Sequence, residues 1–137
     1  MNERQIDYLD LSLWNYVKEP EETEFKGRSL MSYFTDLDRG DVRIGVAGKV
    51  STAESAAVAL DAGADFVLVG RSAILHHDFP ERVRNDPLFL PKPLPVTPAY
   101  LSREGVSPAF AGYLRAFQGF VAAEDARADA DGIVVPT

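Results

Sequence analysis

Two short apolar runs, each closed by a glycine, constrain this chain more than any other feature. Residues 42–47 end at Gly48 and residues 65–69 end at Gly70. Phe66, Val67, Leu68 and Val69 are apolar on both faces, the pattern of a strand buried in a parallel sheet. Between the runs, Ser51 and Glu54 form the capping box Ser-Thr-Ala-Glu that opens a helix. Ala53, Ala56, Ala57 and Leu60 give that helix a narrow face of small residues suited to packing on a sheet, and Gly63 closes it. Strand, helix and strand at this spacing make a parallel βαβ unit.

The pattern extends in both directions. Residues 7–14 read as an earlier strand carrying Tyr8, Leu9, Leu11, Leu13 and Trp14. Residues 15–27 are Glu-rich and read as a solvated loop. Residues 28–38 read as a helix with Leu30, Tyr33, Phe34 and Leu37 on one face and Gly40 just past its end. After Gly70 the chain turns helical through Ser72, Ala73, Ile74 and Leu75, and again over residues 80–85. Pro87, Pro91, Pro93, Pro95 and Pro98 then predict an extended, stiff connection. Ser107 and Pro108 open a last helix, with Phe110, Leu114, Phe117 and Val121 along one face as core or interface residues, together with Phe120.

The expected organisation is therefore βα units over residues 1–90, a proline-rich connection over 91–106, a C-terminal helix over 107–123 and a mobile tail over 124–137. A closed (β/α)8 barrel needs roughly 200 residues or more, and this chain has 137. The predicted fold class is α/β: a partial (β/α)8 TIM barrel of about three parallel βα units plus a C-terminal helical extension. Such a piece exposes strand edges at residues 7–13 and 65–69, and open edges invite pairing with another chain. A homo-oligomer or a missing N-terminal half-barrel chain is the expected partner.

Composition narrows the function. A net charge of -7 argues against a nucleic-acid or anionic-membrane partner. The absence of cysteine removes disulfides, thiolate nucleophiles and sulfur-ligated metals. No stretch approaches the length of a membrane span and no secretory signal is visible, so a soluble cytoplasmic protein is expected.

The two strand ends hold the chemistry. In βα barrels, the loops after the last strands and the N-terminus of a short helix commonly bind phosphate. Ala47, Gly48 and Lys49 at one end, with Gly70 and Arg71 at the other, supply what that needs. Glycine lets the backbone approach an anion, free amides at a helix start point at it, and an arginine can grip two of its oxygens. Each motif alone reads as turn glycines and a surface charge. Together, on consecutive units about 20 residues apart, they read as a phosphate site. His76, His77 and Asp78 are adjacent and so point in different directions; a surface or supporting role is expected rather than a metal site. Trp14 is expected to pack under a loop, Ser12 is ambiguous, and Asp10 is expected to bond a neighbouring loop. Nothing resembles a Ser-His-Asp arrangement, a Walker loop or a glycosidase carboxylate pair, so no catalytic residue is assigned.

The stretches from Gly48 to Ala56 and from Gly63 to Arg71, with Asp78-Phe79-Pro80 and the leading Asp7-Tyr8-Leu9-Asp10-Leu11-Ser12, resemble the last three βα units of the NADH:flavin oxidoreductase (Old Yellow Enzyme) family. The resemblance covers most of residues 5–90 and, more weakly, residues 107–121. It implies non-covalent FMN, reduced by NADH or NADPH and reoxidised by an activated alkene or related acceptor. It places the FMN phosphate on Gly48, the amides of Ala47 and Lys49, and Gly70 with Arg71. It also implies that the family's substrate donors and flavin-ring contacts belong to earlier strands, upstream of Met1. The alternative is a non-catalytic phosphate-binding or oligomerisation module derived from such a barrel. A third is another phosphate-handling barrel acting on a sugar phosphate or nucleotide, against which Arg71 after Gly70 weighs.

Overall fold

In the computed structural model the residues described are 6–123. The chain runs β1 (Tyr8–Ser12), a 3-10 turn (Thr23–Phe25), α1 (Ser32–Thr35), β2 (Arg43–Ala47), α2 (Ala53–Asp61), β3 (Phe66–Leu68), α3 (Arg71–Leu75), α4 (Phe79–Asn85), α5 (Pro98–Arg103) and α6 (Pro108–Leu114). This is a mixed α/β protein with an open, three-stranded parallel sheet in the order β1-β2-β3 and six α-helices among the described residues. The chain divides into two units, one of residues 6–70 with 83–89 and one of residues 71–82 with 90–123. Residues 124–137, where the tail was expected, lie outside the described residues.

The first unit is built on β2, the central strand. Ile44, Gly45 and Val46 are buried, with Ile44 and Val46 fully so. Leu11 of β1, Met31, Ala59 of α2 and Ala64 close the core around them. Among the described residues, strands β1 and β3 each keep one unpaired edge. The second unit has its own core of Leu75, Val96, Tyr100, Leu101, Leu114 and Phe120.

Several elements depart from the sequence reading. The helix expected over residues 28–38 shrinks to Ser32–Thr35. The Ser29 side chain accepts from the Ser32 amide at 3.2 Å, and the Ser32 hydroxyl donates back to the Ser29 carbonyl at 2.6 Å. This local closure competes with an earlier helical turn. Met31, not Leu37, then fills the core, and Leu37 is exposed. On α2 the cap is Thr52 rather than Ser51. Its side chain accepts from the Ser55 amide, and Ser55 rather than Glu54 completes the box. That choice rotates the buried face: Ala59 is buried while Ala57 and Leu60 are exposed.

The proline-rich connection also contains a helix, α5, that the density of prolines hid. Pro98 occupies the first turn, where its missing N–H costs nothing, and Thr97 caps it by accepting from the Tyr100 amide at 3.2 Å. The last helix stops at Leu114, short of the expected 123, so Phe110 and Phe117 are exposed while Leu114 and Phe120 are buried.

Asp65 shows how the short strand β3 is registered. Its amide donates to the Ile44 carbonyl at 2.8 Å, and its Oδ2 accepts from the Ile44 amide at 2.7 Å and from Arg39 at 2.5 Å. The Ile44 amide, then the Arg39 guanidinium, hold the Asp65 carboxyl below the usual carboxylate range. The ion pair is partly exposed and contributes little, but the Ile44 amide is buried. Asp65→Ala is expected to cost about 1–3 kcal/mol by orphaning that donor. The unfolded chain takes up a proton near the ordinary value of 3.8, while the folded chain resists. Asp65 thus contributes fully above that value and loses its contribution as pH falls through its lower folded value. Acid unfolding of Asp65→Asn against the unchanged protein checks this: the Asn variant should lose the acid limb of the difference.

Candidate functional site at the carboxyl edge of the sheet

The parallel register pairs Ser12 with Ala47 and Ala47 with Leu68, so the three strands end side by side. The first unit therefore gathers Ser12 to Trp14, Ala47 to Lys49, and Val69 with Gly70 at one edge. Two hydrogen bonds fold the chain after β1 over this edge: Leu13 N–H to the Ala47 carbonyl at 2.9 Å and Tyr16 N–H to the Gly48 carbonyl at 3.1 Å.

Gly48 is required here. Its φ is +141°, and a Cβ would sit 2.4 Å from the Leu13 carbonyl oxygen and 3.0 Å from the Tyr16 nitrogen. Lys49 follows at φ +60°, the one non-glycine residue with positive φ among the described residues. The two together turn the chain sharply out of β2, and the amides of Lys49 and Val50 donate to no described residue. The next two amides are spent. Ser51 N–H and Thr52 N–H both donate to the Ser55 hydroxyl, at 3.0 Å and 2.9 Å. The start of α2 is thus closed by the protein's own hydroxyl.

Gly70 is different. It has no positive φ, and a Cβ there would meet nothing within 4 Å. Neither backbone conformation nor packing among the described residues explains a glycine at this strand end. Arg71 is the first residue of α3 and belongs to the second unit; it is exposed and makes no ion pair with a described residue. Of the five residues the sequence pointed to, the structure brings Ala47, Gly48, Lys49 and Gly70 to one edge.

Trp14 does not pack under a loop. It is 84% exposed, because β1 ends at Ser12 and the chain turns before the indole can be covered. Asp10 and Ser12 are exposed, and neither side chain bonds a described residue, so the loop contact expected for Asp10 is not made.

The second unit holds a polar node that the sequence did not reveal. His77 Nδ1 lies 2.8 Å from Glu104 Oε2, and the His77 amide donates to the same oxygen at 3.1 Å. Burial pushes the Glu104 carboxyl up, but the His77 bonds outweigh it and hold it below the ordinary value. Asp78 binds Arg82 at 2.6 Å one helical turn away, which lowers the Asp78 carboxyl and raises Arg82. Donor atoms of His77, Asp78 and Glu104 lie within 4.8 Å of one another. Each is already paired, and the Arg82 cation stands where a metal's charge would be opposed. Glu104 is 27 residues from His77, a separation with no periodic signal to read. No helix among the described residues is long and apolar enough to cross a membrane.

Comparison of the chain with models of known protein families, with curated proteins and with solved structures returned no match.

Proposed function

We propose that this chain is the C-terminal portion of an FMN-dependent NAD(P)H oxidoreductase of the ene-reductase kind, built on a (β/α)8 barrel, and that its sheet edge receives the FMN phosphate. The observation that carries the reading is Gly70, a strand-end glycine with no reason of its own among the described residues. A phosphate oxygen approaching the backbone would supply that reason. The edge beside it offers the Lys49 and Val50 amides, and Gly48 keeps a side chain out. Ala47, Gly48, Lys49 and Gly70 would hold the phosphate, with Arg71, by resemblance, gripping its oxygens. FMN, when bound, would carry a hydride from NADH or NADPH to an activated alkene. The chain's own part is to anchor and orient the cofactor; the groups that would meet the ring and the alkene belong, by resemblance, to earlier strands.

The test is a titration of the purified chain with FMN, followed by flavin fluorescence. Saturable binding is expected, weakened about ten-fold or more by Arg71→Ala and equally by riboflavin in place of FMN, since about 1.4 kcal/mol accompanies each ten-fold loss. Riboflavin binding as tightly as FMN would exclude a phosphate site. No binding at high micromolar FMN would remove the cofactor assignment.

The partner expected from the open sheet is a second copy or an N-terminal half-barrel chain pairing with the free edges of β1 and β3. Light scattering after gel filtration is expected to give more than the monomer mass of 15.0 kDa. A sharp monomer peak across micromolar concentrations counts against self-association.

A further inference from the structure

His76 is the one buried imidazole among the described residues, 5% exposed, and the proposed FMN site does not use it. Its Nε2 accepts from the Lys92 amide at 2.9 Å. An imidazole nitrogen that accepts an N–H carries no proton, so the neutral ring must hold its hydrogen on Nδ1. That nitrogen lies 3.4 Å from the Tyr100 hydroxyl, which donates to the Leu75 carbonyl at 2.7 Å. The Lys92 amide thus fixes the ring in one tautomer, with Tyr100 of α5 beside the other nitrogen.

Lys92 is a singular residue for this contact. Pro91, Pro93 and Pro95 have no amide hydrogen, so Lys92 and Leu94 are the only backbone donors over residues 91–95. The end of the segment is held at Val96, whose amide donates to Phe120 and whose carbonyl accepts from Ala122. Upstream of Val96, the Lys92 amide ties the segment to His76, the residue that follows α3.

We propose that neutral His76 is a pH-sensitive latch that holds residues 91–95, and that protonation of its ring releases them. Protonated, Nε2 becomes a donor aimed at another donor, and the bond to Lys92 is replaced by repulsion. The surroundings oppose a positive ring. Arg82 of α4 is a nearby cation; Lys92 places its ammonium 4.7 Å from the Tyr100 ring centre, and Arg103 places its guanidinium 5.7 Å from it. The anions that would favour the charged ring, Glu104 and Asp78, are already paired with His77 and Arg82. Burial first, then Arg82, lowers the basicity of His76 below the ordinary value. The Tyr100 hydroxyl, pushed up to about 12 chiefly by its burial, stays protonated throughout and cannot compensate the charge. The window follows from the sign. A lowered imidazole is neutral in the fold above the ordinary value of 6.5, and the latch opens as pH falls below it through the folded value.

Imidazole 15N shifts and amide hydrogen exchange, measured between pH 8 and 5 on the whole chain, test this. At pH 8 the His76 ring should be the Nδ1–H tautomer. The protection of the Lys92 amide, corrected for intrinsic exchange, should fall about ten-fold or more as the ring titrates. His76→Gln, whose carboxamide oxygen can accept the same bond without titrating, should keep the protection at both ends and lose the step. His77→Asn should leave the step in place. An Nε2–H tautomer at pH 8, constant Lys92 protection through the ring's titration, or an unchanged step in His76→Gln would each overturn the latch.

Discussion

Gly48→Ala is expected to destabilise the first unit by roughly 3 kcal/mol or more. Two costs add. The backbone at φ +141° is one that side-chain-bearing residues rarely adopt, and such strain costs of order 1–3 kcal/mol. The new Cβ would also overlap the Leu13 carbonyl, 2.4 Å away, so the loop after β1 must lift off the sheet edge. Lifting it breaks the Leu13–Ala47 and Tyr16–Gly48 hydrogen bonds, each a net contribution of about 1 kcal/mol. Urea unfolding of the variant measures the sum. Gly70→Ala is the informative partner. With an ordinary φ and no neighbour within 4 Å, it should change stability by no more than about 0.5 kcal/mol, yet weaken FMN. A Gly70→Ala chain that binds FMN undiminished would leave its glycine unexplained and take away the main support for the phosphate reading. A Gly48→Ala chain as stable as its parent would show that the loop after β1 does not rest on this edge.

The contrast between these glycines marks what the sequence could and could not tell. Both were legible as strand ends, because a short apolar run followed by glycine is a local signal with one physical meaning. The parallel sheet followed for the same reason. What Gly48 does was not legible, since it depends on where Leu13, some 35 positions earlier, brings its carbonyl. The helix caps failed in a related way. Ser51 and Thr52 are both good caps, and the choice fell to Thr52 because Ser55 could complete a reciprocal box with it. One residue of shift turned the helix and exchanged Leu60 for Ala59 in the core. Trp14 was misjudged because covering an indole needs a loop of the right length, which no pattern within β1 records. The His76–Lys92 bond and the His77–Glu104 pair join residues 16 and 27 positions apart, beyond the reach of any periodicity. Prolines misled most. Pro98 reads as a breaker in a run of prolines, yet after Thr97 it is a helix start.

That overlooked helix carries the second large effect. Leu101→Ala is expected to cost about 2–5 kcal/mol, the range for emptying a fully buried leucine site. Leu101 is 0% exposed and packs in a core whose other buried members, among the described residues, are Leu75, Val96, Tyr100, Leu114 and Phe120. Its amide and carbonyl also close α5, bonding to the Thr97 carbonyl at 3.2 Å and the Val106 amide at 2.9 Å. Stability of about 0.05–0.15 kcal/mol per residue gives a unit of this size only a few kcal/mol in all, so one such cavity should consume most of it. Hydrogen exchange should then show the amides of Val106 and Ala122, each bonded within this unit, losing nearly all protection. Leu88→Ala removes the same side chain from a site 85% exposed and should shift stability by no more than about 0.5 kcal/mol. Equal effects from the two variants would mean that the second core is not packed around α5. A large loss at Leu101 alone would establish that the proline-rich region is a folded element with a core of its own.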